Sequence, residues 1–466
     1  MQKEKVVFIG GGSCFTPAQV QVMLDTKELF EGVEVCLYDI NAKYLPLISK
    51  TIEQLIKRKK ANIKLTSTTD VKEALKNATF IFFMWNVGGA EALKNDVNIP
   101  TSHGISGDET AGIGGTFMAQ RNIPVAIEYC KLIEEICPDA WIISHSNPIN
   151  LLADAIRCET NVRFIPICDG FIRYSMSLLP RWLDMPPYDR RYCTDKDLRP
   201  RAIGINHFTW LVDLQVNGKD GYPLLRQKFN EAKDKFKGEE QYIKADLPIN
   251  LFETYGYLLL AQLHAMLYYE QKEWLERTKH FEKLFYSDGL GWSEDREKLM
   301  QKIADGGEYV EHPTGVRAKD FCFILLSARQ TVGIMVDILT NEGREWGGVN
   351  FVNNGTITNL PDSTIVEGPV IINAKGVNPI PMGKLPKPFV GLSYHLITWA
   401  ELSVDAALSG DKSILYQAIL ACPYVHDMTD AKTIMEEMLI ANAKFLPQYK
   451  RTKSSKVDFT FMGSKP

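Results

Sequence analysis

The chain has 466 residues, is 45% apolar and 24% charged, and carries a formal net charge of −4. That length exceeds what one hydrophobic core serves, so two domains are expected, and the charge gives no footing for nucleic-acid binding. Nine cysteines with no CxxC pair argue against a disulfide scaffold and fit a reducing cytoplasm; the apolar run before the first glycines is too short for a signal peptide or a membrane span.

In chain order, residues 6–9 predict a short strand ending in Gly10-Gly11-Gly12-Ser13. Residues 17–24 then predict a helix, and residues 33–38 a second strand closing at Asp39. Glycines let a backbone approach a pyrophosphate, a helix N-terminus offers its positive dipole end, and an acid after the second strand can accept from a ribose diol. Gly10 and Gly12 fit the first two positions of that fingerprint, while Phe15 occupies the third. The ordered set points to a dinucleotide held by Gly10, Gly12, Ser13 and Asp39. A purely structural glycine turn is the alternative.

The alternation continues. Residues 70–77 predict a helix, and residues 80–85 a buried strand followed by Asn86-Val87-Gly88-Gly89. Residues 123–136 have helical spacing, and residues 141–143 form a strand leading to Asn147-Pro148. A helix over 150–157 precedes the run Ile165-Pro166-Ile167-Cys168-Asp169-Gly170. Strands alternating with helices predict an α/β fold with a Rossmann-type, doubly wound parallel sheet, whose ligands collect at the carboxyl ends of its strands. Asn86, Gly88, Asn147 and Cys168 fall there together with the glycines and Asp39. Residues 104–115 hold five glycines in twelve, which suits a loop lying against ligand or partner backbone, or a plain surface loop.

Cys168 ends one apolar run, and Asn206-His207 ends another that begins at Gly204. A thiolate and an imidazole make a half-shell for a divalent transition metal, and two protein ligands leave positions for substrate oxygens or water. Taken singly, Cys168 reads as a small buried hydrophobe and His207 as a core histidine.

Beyond Gly204 the rhythm changes. Residues 209–216 predict a strand, 222–237 a charged helix, and 251–285 a long helical pattern. The Pro- and Gly-rich stretch 369–388 reads as irregular, and 392–410 and 430–446 as helices. The boundary falls near residue 200. Residues 1–200 form the nucleotide-binding domain, and residues 201–466 a C-terminal α+β domain for substrate, metal and oligomerisation. The whole is of the lactate/malate dehydrogenase-like kind.

As an ordered set these motifs resemble glycoside hydrolase family 4, the NAD- and metal-dependent glycosidases. The carriers are residues 10–13 with Thr16-Pro17, residues 104–115 with Glu109-Thr110, Asn147-Pro148, Cys168-Asp169 and Asn206-His207. Residues 354–361, Val366-Glu367 and Gly383-Lys384-Leu385-Pro386 complete them, so the resemblance spans nearly the whole chain. It implies a divalent metal, typically Mn2+, on Cys168 and His207, with Asn147 between nicotinamide and sugar. It also implies an exception to two-carboxylate glycosidase chemistry. NAD takes the C3 hydride, the C2 proton is removed beside the metal, the C1 aglycone leaves, water adds and the hydride returns.

The resemblance further implies that Asp169 protonates the leaving oxygen and that a tyrosine is the base. Tyr255 is the candidate, with Tyr257, Tyr268 and Tyr269 competing. Glu109, Asn206 and His264 are expected at the substrate, and the assembly is expected to be a homodimer or homotetramer. Phosphoglycoside members carry an arginine two residues after Gly-Gly-x-Glu, whereas Gly88-Gly89-Ala90-Glu91 is followed here by Ala92 and Leu93. A phosphate loses a bidentate partner there, so a free α-hexoside or hexuronide is expected over a 6-phosphoglucoside. Two other classes share the N-terminal order. A 2-hydroxyacid dehydrogenase has no use for Cys168 as a ligand, and a dinucleotide sensor leaves Cys168, Asp169 and His207 unexplained.

Overall fold

The computed structural model describes residues 4–108, 110–173, 175, 179–185, 197–232, 246–260, 268–269, 272, 275–276, 294–307 and 325–449. Its first six strands are β1 (Lys5–Ile9), β2 (Glu34–Tyr38), β3 (Lys64–Thr68), β4 (Phe80–Phe83), β5 (Trp141–Ser144) and β6 (Arg163–Pro166). They pair in parallel in the order β3-β2-β1-β4-β5-β6, the doubly wound arrangement expected from the sequence. The runs VVFI in β1 and FIFF in β4 are buried throughout, as strands covered by helices on both faces must be. The order reverses between β1 and β4, and the crevice above that switch point is where such sheets hold ligands.

Helices agree with the sequence in position more than in extent. The one expected over 17–24 is Thr16–Asp25, and the one expected over 123–136 begins at Gly112 and runs to Ile136. The end of the glycine-rich stretch is therefore that helix's first turn. Helix Leu45–Lys59 and strand β3 lay outside the sequence reading. β3 alternates polar residues with none fully buried, so it carries little apolar signal.

The remaining strands are β7 (Leu198–Ile205), β8 (Phe208–Val216), β9 (Lys219–Asp220), β10 (Leu258–Leu259), β11 (Arg344–Val352), β12 (Ile365–Asn373) and β13 (Gly376–Pro379). They form an antiparallel sheet in the order β10-β8-β7-β12-β11, with β13 on β12 and β9 on β8. Two expectations are corrected here. The stretch from Pro369 to Val377 is strand and hairpin, not irregular. Pro369 falls opposite the β-bulge of β11, where the register jumps between Trp346 and Val349, so its missing N–H breaks no ladder bond. The helical pattern from Leu251 is interrupted: helix Asp246–Tyr255 ends before Gly256, whose φ of +74° turns the chain into β10, while Tyr268, Tyr269, Lys272, Leu275 and Glu276 are helical again.

The two sheets meet at the end of β6. Ile167 bridges Val349, and the Cys168 N–H donates to the Gly348 carbonyl at 2.9 Å, an acceptor that the bulge turns outward. Helix Lys387–Ser409 packs against helix Gly112–Ile136, where Trp399 Nε1 donates to Thr116 Oγ1 at 2.8 Å.

Candidate active site

Cys168 follows β6 and His207 lies in the two-residue turn between β7 and β8. The turn holds His207 at φ +65°, a left-handed conformation that aims its ring back over the sheet end. Both side chains are buried, and Cys168 Sγ lies 3.4 Å from His207 Nε2. Bonds of about 2.3 Å to sulfur and about 2.0–2.1 Å to nitrogen set neighbouring ligands roughly 3.1–3.6 Å apart, so one metal ion fits between them. Among the described residues no group of three or more His, Cys, Asp and Glu converges, so the half-shell stays at two.

The histidine is oriented from behind. Its Nδ1 lies 2.7 Å from Thr110 Oγ1, and the Thr110 hydroxyl donates to Asp108 Oδ1 at 2.6 Å. Because the carboxylate only accepts, Thr110 must accept in turn from Nδ1–H, which leaves the Nε2 lone pair facing Cys168. That is the tautomer a metal requires. Asp108 also takes the Thr110 and Ala111 backbone N–H groups at 2.7 and 3.0 Å. The glycine-rich stretch thus packs, buried, against His207 and is not a plain surface loop. Asp108 itself was not singled out, since a lone aspartate in a loop carries no distinctive spacing.

Burial pushes the Cys168 thiol up, helped by the Glu367 and Asp169 carboxylates and opposed by the Gly170 N–H and the Asn206 amide. Glu367, buried on β12, is itself pushed up to about 7 by burial, against hydrogen bonds from Thr209 and Asn206. Asn206 Nδ2 lies 3.4 Å from Glu367 Oε2, so its amide serves the carboxylate and sulfur behind the site. A cation bound here would favour the thiolate that burial alone disfavours.

The residues expected at the nucleotide form a cradle. A Cβ on Gly10 would sit 2.4 Å from the Met84 carbonyl oxygen, and one on Gly12 2.9 Å from Asp39 Oδ2. Asp39 accepts the Gly12 N–H at 3.0 Å and closes β2 at the edge of the crevice. Ser13 lies beside it in the same turn, its hydroxyl accepting the Phe15 N–H at 3.3 Å. Asn86 Oδ1 and Trp85 Nε1, just past β4, are buried without partners, as residues awaiting a polar ligand would be. Gly88, at φ +89°, starts helix Gly89–Ser102. Asn122, missed in the sequence, ties the strand ends together: it accepts the Val87 N–H at 3.0 Å and donates to the Asn147 carbonyl at 2.8 Å. The Asn147-Pro148 peptide bond is cis.

Asp169 opens helix Asp169–Arg173, and its Oδ2 accepts from the Ser327 hydroxyl at 2.9 Å. His145, whose Nε2 lies 2.9 Å from Thr331 Oγ1, is half-buried near this carboxylate, and the desolvation of its ring holds it below its ordinary range. Tyr255 packs edge-on against Trp210 and Phe389. Tyr268 instead meets Phe208, next to His207, at 5.2 Å; burial, helped by the Asp108 carboxylate, pushes its phenol well above the ordinary range and keeps it protonated. Tyr257 and Tyr269 join the Trp210–Phe389 cluster. Glu109 and His264 lie outside the described residues.

Comparison with known proteins matches this arrangement. The family 4 glycosyl hydrolase model covers residues 5–182, and the model of that family's C-terminal domain covers residues 202–425. The chain belongs to glycosyl hydrolase family 4. An alpha-galactosidase of Bacillus subtilis (strain 168) is 28% identical over 462 residues, covering 96% of this chain and all of the relative. A 6-phospho-beta-glucosidase of Escherichia coli (strain K12) is 28% identical over 455 residues, covering 96% and 97%. Among solved structures, a 6-phospho-alpha-glucosidase from gut microorganisms in complex with NAD and Mn2+ superposes with a TM-score of 0.81 at 23% identity, over 96% of this chain and 99% of that one. A malate dehydrogenase from Plasmodium falciparum reaches 0.50 at 14% identity, over 89% and 99%, in line with the expected dehydrogenase-like fold. No helix among the described residues is long and apolar enough to cross a membrane.

Proposed function

We propose that this glycosidase cleaves an α-linked hexoside or hexuronide without a 6-phosphate, using NAD and a divalent metal such as Mn2+. The observation that carries the reading is the buried Cys168–His207 pair with Asp169 beside it, at the carboxyl end of a nucleotide-binding sheet. NAD bound over Gly10, Gly12, Ser13, Asp39, Asn86, Gly88 and Asn147 supplies a hydride acceptor and donor, and a metal on Cys168 and His207 supplies Lewis-acid polarisation of the sugar oxygens. The chain's own residues do the rest. Asp108 and Thr110 hold His207 in its ligating tautomer, and Ser327 orients Asp169 to protonate the departing glycosidic oxygen.

The base is a tyrosine. Tyr255 is the residue drawn from the sequence; Tyr268 competes through its ring contact with Phe208, the neighbour of His207. Leu93, where phosphoglycoside members place arginine, is buried and apolar, which supports a substrate without phosphate. A phosphoglycoside reading draws on the 6-phospho-glucosidases among the relatives. Glu109 and His264 as substrate contacts, the division near residue 200, a homodimer or homotetramer and a cytoplasmic setting belong to the same proposal. The test is a panel of aryl α- and β-glycosides, with and without 6-phosphate, assayed with NAD, Mn2+ and thiol. Cleavage of a non-phosphorylated α-glycoside that stops on chelation supports the reading; turnover confined to 6-phosphoglycosides overturns its substrate assignment.

A further inference from the structure

One row of paired residues crosses the antiparallel sheet beside the metal ligands. Asn350 on β11 pairs with Glu367 on β12, Glu367 with Gly204 on β7, and Gly204 with Thr209 on β8. Directly paired residues project from the same face of a sheet, so Asn350, Glu367 and Thr209 share one. Gly204 contributes no side chain, and across that gap the Glu367 carboxylate accepts from the Thr209 hydroxyl and from Asn206 Nδ2. The other edge of β11 carries the chain into Cys168. Ile167 bridges Val349, and Cys168 lies against Gly348. Alternation along both strands then turns Cys168 to the Asn350 side, the same side on which Glu367 and Asn206 act on its sulfur.

Within this row Asn350 is the exception. It is 1% exposed, and neither Oδ1 nor Nδ2 has a hydrogen-bond partner. Leaving both halves of a buried amide unpaired is costly, and native interiors rarely do so without a ligand or water to complete them. Its neighbours Glu367, Thr209 and Asn206 are bonded to one another. Among the described residues of this row, Asn350 alone keeps both a donor and an acceptor in reserve.

We propose that Asn350 is a substrate-contacting specificity residue, whose amide donates to one hydroxyl of the sugar and accepts from another beside the Cys168–His207 pair. A primary amide is matched to a vicinal diol, where adjacent hydroxyls offer one acceptor and one donor. The inference rests on the glycoside reading, and it assigns part of the sugar's recognition to β11.

The decisive variant is Asn350→Leu, with the same branching and number of side-chain heavy atoms but no polar ones, with Asn350→Asp as its companion. A partner for a ligand and a bolt of the fold respond oppositely. Removing an amide with no protein partner leaves thermal stability unchanged or raised. Removing one whose water bridge holds the sheet together lowers it. The holoenzyme, loaded with NAD and Mn2+, is titrated calorimetrically with D-glucose, D-galactose and D-galacturonate, and assayed with the aryl α-glycoside that the wild type cleaves best. The proposal expects Asn350→Leu to keep its melting temperature and its Mn2+ and NAD affinities. It expects sugar affinity to weaken and KM to rise about ten- to a hundredfold, the effect of losing two hydrogen bonds. A lowered melting temperature with weakened Mn2+ binding makes Asn350 a support of the fold and overturns the proposal. So does an unchanged sugar affinity in a wild type that cleaves glycosides, which leaves the glycosidase reading standing. A wild type that neither binds these sugars nor cleaves any glycoside removes both.

Discussion

Cys168 Sγ and His207 Nε2, 39 residues apart in the chain, meet at 3.4 Å because one ends the last parallel strand and the other turns between two antiparallel ones. The junction of the two sheets is therefore where the proposed metal pair lies. Gly348, carried outward by the β11 bulge, fixes the backbone of the first ligand, and the Asp108–Thr110 pair fixes the ring of the second.

Thr110→Val removes the acceptor of His207 Nδ1 and frees the ring to take the wrong tautomer. Affinity for Mn2+, measured by calorimetric titration of the purified protein, is expected to fall roughly 10–100-fold, the usual effect of losing such a partner. Thr110→Ser keeps the hydroxyl and should bind nearly as the wild type does. Equal affinity in the valine variant would remove the orienting role.

Asp169→Asn should lower turnover most for glycosides with poor leaving groups and least for nitrophenyl glycosides, since an acid assists only an oxygen that needs a proton. Ser327→Ala, which strips the hydroxyl bonded to Asp169 Oδ2, should give a weaker form of the same pattern. Uniform losses across a leaving-group series would mean that Asp169 is not the acid.

The base is settled by two conservative variants. Tyr268→Phe should keep its NAD and Mn2+ affinities while losing most of its turnover, and Tyr255→Phe should be mild. The reverse result would restore the candidate drawn from the sequence and show that the Phe208 contact is packing alone.

Much of this site was legible in the sequence, and the reasons are local. Val6 to Ser13 and Asp39 announce themselves because strand, glycines, helix and acid follow in register over a short span. Cys168 and His207 each stand at the abrupt end of an apolar run. Asp108, Asn122 and Asn350 gave no such signal, since each acts through a partner remote in sequence or through having none. The strands around Pro369 were misread because the proline is tolerated only by a bulge on the neighbouring strand, which no local pattern reports. The break after helix Asp246–Tyr255 was missed because the apolar run continues past Gly256 into β10.

Asp337 gives a pH test of the fold away from the chemistry. Burial pushes its carboxyl up to about 6, opposed by the Trp346 indole N–H at 2.7 Å and by Arg344 at 3.3 Å. The folded value lies above the unfolded one, about 3.9. This group's contribution to stability is therefore complete below about pH 4 and is lost as pH rises through about 6. Asp337→Asn carries no titrating proton. Its stability relative to the wild type should rise between pH 4.5 and 7.5 by on the order of 1 kcal/mol, reduced by solvent screening at Arg344. Denaturant midpoints of the two proteins that differ equally at both pH values would contradict this.

By the proposed route, glycoside cleavage passes through removal and return of the C2 proton. The most direct test of that route is hydrolysis of the preferred aryl α-glycoside in D2O with NAD and Mn2+, followed by NMR of the released sugar. The account predicts deuterium at C2 of the product with no net accumulation of NADH. Full cleavage with protium retained at C2 would contradict it.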